Sequence, residues 1–392
     1  MIVRIFILFL CAAVLFSCAT TNVHSPDAAL YDGKAGSAQT LESFSERIVQ
    51  AFADNDVNFF KKEIDEKALA ERTKKELEKL RPLSSSIKIA ANRIVKNVAG
   101  GLFSQISPNM QATFLRVEPS GGSGALKKLL FRLEDEESFS YVKFFVDEQT
   151  FKIVDYINYD YARTISFILA TAVDQGFEVN VKSDFETRLK YQRFLDAVAA
   201  VDDHNDLQQR LAVRKAYFEL PVSLRQTEYA LVVLARSIQS ESVEYYASLA
   251  LIEQYYGQEK QFALMMLNFY VYHERFDDAR RALDVLKSEV GNDVSLLNAQ
   301  AAFAIMDKDY RDAVAYLHDS IEADRSRQLS YVLLAQALSQ LERFDDAVLS
   351  LRIVEEVLGI EVHHDVLRDS GEFGGLVSSQ PYKNWFSARA AP

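Results

Sequence analysis

From Leu41 onward the apolar residues recur every three or four positions. Leu41, Phe44, Ile48 and Phe52 share one helical face, and Val57, Phe60, Ile64 and Ala68 share another. A further helix is expected from about Ile87 to Phe103. The pattern then shortens. Ala112 to Val117, Lys128 to Leu133, Phe139 to Val146 and Phe151 to Tyr159 are rich in aromatic and β-branched residues, which predicts strands. Pro119 to Gly124 reads as a turn, and Asp147-Glu148-Gln149-Thr150 as a tight hairpin. A helix over Tyr161 to Val173 follows. Helices, then an antiparallel meander, then a helix predict an α+β domain over residues 41–176, with a curved sheet wrapped on helices.

Beyond this the chain reads as helical throughout. Residues 177–258 carry buried-face markers such as Leu189, Phe194, Val198, Leu211, Tyr217 and Leu220, with Pro221 as a breaker, and predict a degenerate repeat or a cap. Within 259–361, Phe276-Asp277-Asp278-Ala279, Tyr310-Arg311-Asp312-Ala313 and Phe344-Asp345-Asp346-Ala347 recur every 34 residues. That period and opening resemble the tetratricopeptide repeat, in which the aromatic packs between helices and the alanine lets helices approach closely. The resemblance implies three repeats in an all-α solenoid. Leu267 stands where a small residue is usual, and Gln300 where an apolar one is. Residues 362–392 form a tail with the sole tryptophan, Trp385, expected to pack back on the repeats.

By element order the α+β region resembles the NTF2-like superfamily of cone-shaped domains. Phe151 to Tyr156 with the helix after it, and Ser378 to Trp385 at the end, are also similar to segments of bacterial tetratricopeptide proteins.

The first residues follow a different logic. Arg4 precedes an apolar run from Ile5 to Phe16. At about 1.5 Å per residue this falls short of a hydrocarbon layer about 30 Å thick, so a signal peptide over 1–17 is expected rather than a membrane span. Leu15-Phe16-Ser17-Cys18 resembles the lipobox of bacterial lipoproteins, with Phe16 as its departure. The resemblance implies cleavage before Cys18 and several acyl chains on that cysteine, a stable anchor because two or more chains are buried. Ala19 in place of an aspartate implies outer-membrane sorting, facing the periplasm. Residues 18–40, small and polar, read as a flexible tether.

Charge and cysteine content narrow the function. With 44 basic and 56 acidic residues the net charge is −12, which excludes a broad basic footprint for nucleic acid and argues against electrostatic adhesion to anionic lipid. The other cysteine, Cys11, lies in the expected signal, so Cys18 is the only one left for chemistry.

No catalytic or metal motif stands out, and no cofactor is expected. Gly121, Gly122 and Gly124 lack a following Gly-Lys-Ser/Thr, Ser123 lacks the second glycine of a nucleophile elbow, and Ser85-x-x-Lys88 lacks companion motifs. His363-His364-Asp365 offers too few converging ligands for a metal. Asp155 interrupts an apolar strand and reads as either a buried acid near Tyr141 or a position at the sheet's edge. The repeat register places Leu264, Asn268, Asn298, Ala302, Val332 and Gln336 on the concave face. Their amide and apolar character suits an extended peptide or a helix, and the scarcity of basic residues argues against clamping a terminal carboxylate. The expected function is therefore a lipid-anchored, non-enzymatic scaffold for envelope proteins. The alternative is ligand binding or catalysis in a cavity of the NTF2-like domain.

Overall fold

The computed structural model describes residues 40–98, 110–119, 125–135, 138–160, 162–200, 207–236, 238 and 242–389. The expected signal, Cys18 and the tether up to residue 39 lie outside these residues, as do Gly121, Gly122, Ser123 and Gly124. The chain forms an α+β region with a five-stranded antiparallel sheet and then a long helical region. Its contacts cluster into two units, Ala38–Tyr272 and one containing His273–Pro392.

The first unit opens with α1 (Leu41–Ala53), whose N-cap Thr40 accepts from the Ser43 N–H while Ser43 reaches back to the Thr40 backbone, a reciprocal cap. Phe44, Ile48 and Phe52 form its buried face, as their spacing predicts. The second apolar stripe is split. α2 (Val57–Glu63) stops before Ile64, and α3 (Glu66–Leu80) starts after Asp65, whose side chain accepts from the Ala68 N–H. The break has a partner: Ile64 bridges to Ile153, and the Asp65 N–H donates to the Ile153 carbonyl at 2.8 Å. α4 spans Ser85–Val98, and the expected continuation to Phe103 falls outside the described residues.

The strands are β1 (Gln111–Pro119), β2 (Leu126–Glu134), β3 (Phe139–Asp147), β4 (Ile153–Asn158) and the short β5 (Arg163–Thr164), ordered as a plain meander. Asp147 fixes the β3–β4 turn by accepting from the N–H groups of Gln149 and Thr150 at 3.0 and 2.8 Å. Phe151 has φ of 52°, so β4 starts at Ile153 rather than at Phe151. The helix expected from Tyr161 is preceded by β5 and runs further, as α5 (Ile165–Lys182), with Thr164 as its cap. Leu129, Phe131, Val142, Phe144 and Tyr156 face the helices and join Phe44, Phe52, Phe60 and Leu69 in one core. α3 packs on α5, and Arg81 pairs with Asp174 and Glu178 across that contact.

α6 (Phe185–Ala199), α7 (Leu207–Glu219), α8 (Val222–Arg225), α9 (Glu228–Arg236), α10 (Val243–Tyr256) and α11 (Ala263–Tyr272) complete this unit. Arg163 joins them to the sheet. Its guanidinium meets Glu228 at 2.5 and 2.8 Å and Glu259 at 2.7 Å, over the rings of Phe167 and Phe262. The helices after the sheet are thus bound to it rather than forming a free-standing array.

The second unit holds α12 (Phe276–Val290), α13 (Val294–Met306), α14 (Tyr310–Ala323), α15 (Gln328–Gln340) and α16 (Phe344–Arg352), then α17 (His364–Asp369), α18 (Gly374–Ser378) and α19 (Gln380–Arg389). The recurrent aromatics Phe276, Tyr310 and Phe344 each begin a helix, and Ala279, Ala313 and Ala347 are fully buried. Two residues before each of these helices the backbone turns left-handed, at Glu274, Lys308 and Glu342, with φ of 56°, 63° and 59°. The same turn recurs at the same 34-residue interval. The N–H groups of Asp309 and Arg343 donate back to Ala304 and Leu338 at 2.8 and 2.9 Å, closing the preceding helices. Among the described residues no helix is long and apolar enough to cross a membrane.

None of the three turn residues is a glycine, so each carries a left-handed strain of about 1–2 kcal/mol. Glu342→Gly is expected to stabilise the protein by about 0.5–1 kcal/mol, since glycine's greater unfolded entropy offsets part of the relief. Urea unfolding of this variant against Glu342→Ala, which keeps the strain, checks it.

Candidate functional site

The six residues expected on the concave face divide between the two units. Leu264 and Asn268 lie on α11, Asn298 and Ala302 on α13, and Val332 and Gln336 on α15. Asn268 is exposed and Ala302 half-buried, whereas Leu264 and Val332 belong to the core. The two amides expected to meet a ligand are engaged inside the protein. Asn298 is 3% exposed, and its Oδ1 accepts from Ser320 Oγ at 2.9 Å and Ser330 Oγ at 3.0 Å. It therefore locks α13 to α14 and α15. Gln336 is 2% exposed and lies 3.4 Å from the Glu372 carboxylate, while Gln340 donates to the Glu372 carbonyl at 2.8 Å. The tail covers this part of α15, which corrects the expectation of an open amide-lined surface there. Repeat register assigns positions to a face, and the tail, expected to pack back on the repeats, is the segment that covers this one.

The tail also builds a pocket that sequence reasoning did not find. α19 lies against α16, with Tyr382 and Trp385 buried in the same core as Leu351 and Val354. His364 holds the tail from the other side: its Nδ1 is 2.5 Å from the Tyr382 hydroxyl and its ring stacks on Phe386 at 4.0 Å. The pair His363-His364 thus has one ring committed to packing rather than to a metal. Between α16 and α19 a cavity of about 540 Å³ is lined by Val348, Leu349, Pro381 and Trp385 on its apolar side and by Asp345, Arg352 and Glu356 on its polar side. Leu349 is 54% exposed at the rim of this cavity. Arg352 and Glu356 form a two-pronged pair at 2.8 and 2.9 Å. Beneath them the helix widens into a π-helical turn, Ile353–Val357, closed by the Leu358 N–H to the Ile353 carbonyl at 3.0 Å. Such turns cluster at functional positions because they redirect side chains that a regular helix would stack.

Asp155 is a buried acid, 1% exposed, and it has partners. Its Oδ2 accepts from Arg72 Nε at 2.9 Å and Ser166 Oγ at 2.6 Å, and its Oδ1 from the N–H groups of Tyr156 and Ser166 at 2.9 and 3.1 Å. Arg72 lies on α3 and rests over the Phe145 ring at 4.9 Å. Burial pushes the Asp155 carboxyl up, against the opposing pull of Arg72 and Ser166. Both oxygens already take two donors each, which leaves a substrate little to bind. Tyr141 packs edge-to-face against Phe139 and Tyr159, with ring centroids 5.8 Å apart. Arg72 lies 83 residues before Asp155, so the partner carries no local sequence signal.

On the helix-facing side of the sheet, Phe52, Phe60, Phe131 and Phe144 interlock with centroids 5.1 to 6.5 Å apart. Among the described residues no group of three or more His, Cys, Asp or Glu side chains is placed to hold a metal. No family model matches the chain, and no curated protein or solved structure matches it.

Glu63 gives this unit a pH dependence. It pairs with Arg47 on α1 at 2.8 Å and with Lys152, just before β4, at 2.9 Å. Burial opposes its ionisation, but Lys152 and Arg47 outweigh burial and hold its carboxyl below the ordinary 4.5. Its contribution is therefore complete above that ordinary value and is lost as pH falls through the lower native value. Glu63→Gln should cost about 1–2 kcal/mol at neutral pH and flatten the loss of stability below about pH 5, as measured by urea unfolding across pH. An unchanged acid limb would exclude this assignment.

Proposed function

We propose that this protein is a bacterial lipoprotein, anchored through Cys18 to the periplasmic face of the outer membrane, that binds or scaffolds other envelope proteins without catalysis. We read the second unit as tetratricopeptide-type repeats and the α+β domain as NTF2-like. The observation that carries the reading is the triple recurrence, at 34 residues, of a left-handed turn followed by an aromatic helix start and a fully buried alanine. Helical hairpins in fixed register present surfaces for protein partners rather than reaction centres. With Asn298 and Gln336 engaged internally, the partner surface is assigned to the cavity beside Leu349 and Trp385. It suits an apolar side chain on a partner segment, with Asp345 and Arg352 to orient polar groups around it.

The test places a photo-crosslinking residue at Leu349 in the lipidated protein and, as control, at the exposed Glu71. A discrete adduct from Leu349 alone is expected, and it should disappear when Val348 is changed to Arg. Adducts equal at both positions, or none, would contradict the assignment. Cys18→Ala is expected to move the protein out of the membrane fraction, and full retention would remove the lipid anchor from the reading.

A further inference from the structure

α4 turns one narrow apolar face inward, with Ile87, Ala91 and Val95 buried. At about 100° per residue, Lys88, Asn92, Lys96, Ile89 and Arg93 follow in that order across the opposite side, a stripe about 140° wide. All five are exposed, Ile89 at 62%. Among the described residues no ion pair or hydrogen bond engages the side chains of Lys88, Arg93 or Lys96. The cations that flank the helix differ in this respect. Lys79 pairs with Glu76, Arg81 with Asp174 and Glu178, and Arg116 with Glu118.

This excess of charge is not cancelled by its surroundings. From Lys79 to Val117 the sequence holds no Asp or Glu, so the residues between α4 and β1 bring no countercharge. α3 and α5 are the helices packed on α4. α3 carries five basic and four acidic side chains, and Asp155 of the sheet takes the fifth cation, Arg72. α5 carries Lys182, Asp174 and Glu178, and Arg81 brings the second cation to its two acids. Both neighbours are thus neutral, and the three cations of α4 remain in excess within a protein of net charge −12. At physiological salt, charges more than about 8 Å away are largely screened from them.

We propose that the exposed face of α4 rests on the headgroups of an anionic bilayer. The stripe is the convex side of a helix, and its cations spread over about 12 Å along the axis, so a flat surface of repeated negative charge meets all three at once. Ile89, central in the stripe, enters the acyl boundary. The lysine and arginine stems lie beside it while their charges stay at the phosphates. A second copy of this chain is the competing anionic surface, since residues 273–392 carry 21 acidic against 13 basic side chains. That contact would join unlike faces and leave one of each free on every copy, which builds open chains rather than a closed pair. Lipid on Cys18 is not needed for the bilayer contact. The net charge argues against such adhesion only as an average over the whole chain, and α4 departs from that average.

The test uses the chain from Ala19 onward, which keeps every described residue and lacks Cys18, in co-sedimentation with phosphatidylglycerol-rich vesicles and with pure phosphatidylcholine vesicles. Binding to the anionic vesicles alone, weakening as salt rises, is expected. Lys88→Gln, Arg93→Gln and Lys96→Gln should each weaken it about fivefold, and the triple change about a hundredfold. Ile89→Gln should weaken it about fivefold. Circular dichroism should stay unchanged, because all four side chains are exposed. Lys383→Gln, the same change of charge at an exposed position of the second unit, should leave binding within about twofold. Absent binding, equal binding to both lipids, or binding that the α4 changes weaken no more than Lys383→Gln does overturns the proposal. So does salt-sensitive self-association that the triple change abolishes, which would make a second copy the occupant.

Discussion

A carboxylate removed from water must recover inside the protein both its countercharge and its hydrogen bonds. Asp155 does so by drawing together three elements that nothing in their local sequence joins. Arg72 comes from α3, Ser166 from the start of α5, and Asp155 itself from the strand between them. The two Ser166 contacts fix where α5 leaves the sheet. That departure sets α5 against α3, where Arg81 meets Asp174 and Glu178. Arg163, two residues before α5, is thereby positioned to hold α9 and the segment before α11 through Glu228 and Glu259. A single buried charge so orders a chain of contacts from the first helices to the end of the first unit.

The second unit is ordered by repetition instead. Each helix that begins with Phe276, Tyr310 or Phe344 enters from the same left-handed turn, and each buries the alanine three residues on. Small side chains there allow helices to approach closely, and the longer core residues, such as Leu317, Leu334 and Leu351, fill the remaining space. Inside this stack the Asn298 Oδ1 is paired with the hydroxyls of Ser320 and Ser330. The tail ends the stack by burying Tyr382 and Trp385, and in doing so creates a recess beside Leu349 that no internal residue fills.

Features set by periodicity were legible in the sequence. The four main strands emerged within a few residues of their expected bounds, and the 34-residue register placed three helix starts correctly. What escaped was non-local. The stripe from Val57 to Ala68 read as continuous because the break at Ile64 and Asp65 is made by a bridge to Ile153, far along the chain. Asp155 was visible as an acid in an apolar strand, but Arg72 was not visible as its partner. Asn298 and Gln336 stood in positions that repeat geometry assigns to a surface, and neighbouring serines and the returning tail claimed them.

Because Asp155 organises the first unit, removing its countercharge tests this account most directly. The measurement is a double-mutant cycle on urea unfolding with Asp155→Ala, Arg72→Ala and the pair. Arg72→Ala leaves the buried Asp155 carboxyl without its countercharge, and Asp155→Ala leaves the buried Ser166 hydroxyl and two backbone N–H groups without their acceptor. Each should cost about 3–5 kcal/mol, and the double clearly less than their sum. Single costs below about 1 kcal/mol, or strict additivity, would mean that the Asp155–Arg72 contact is incidental and that apolar packing alone sets the geometry.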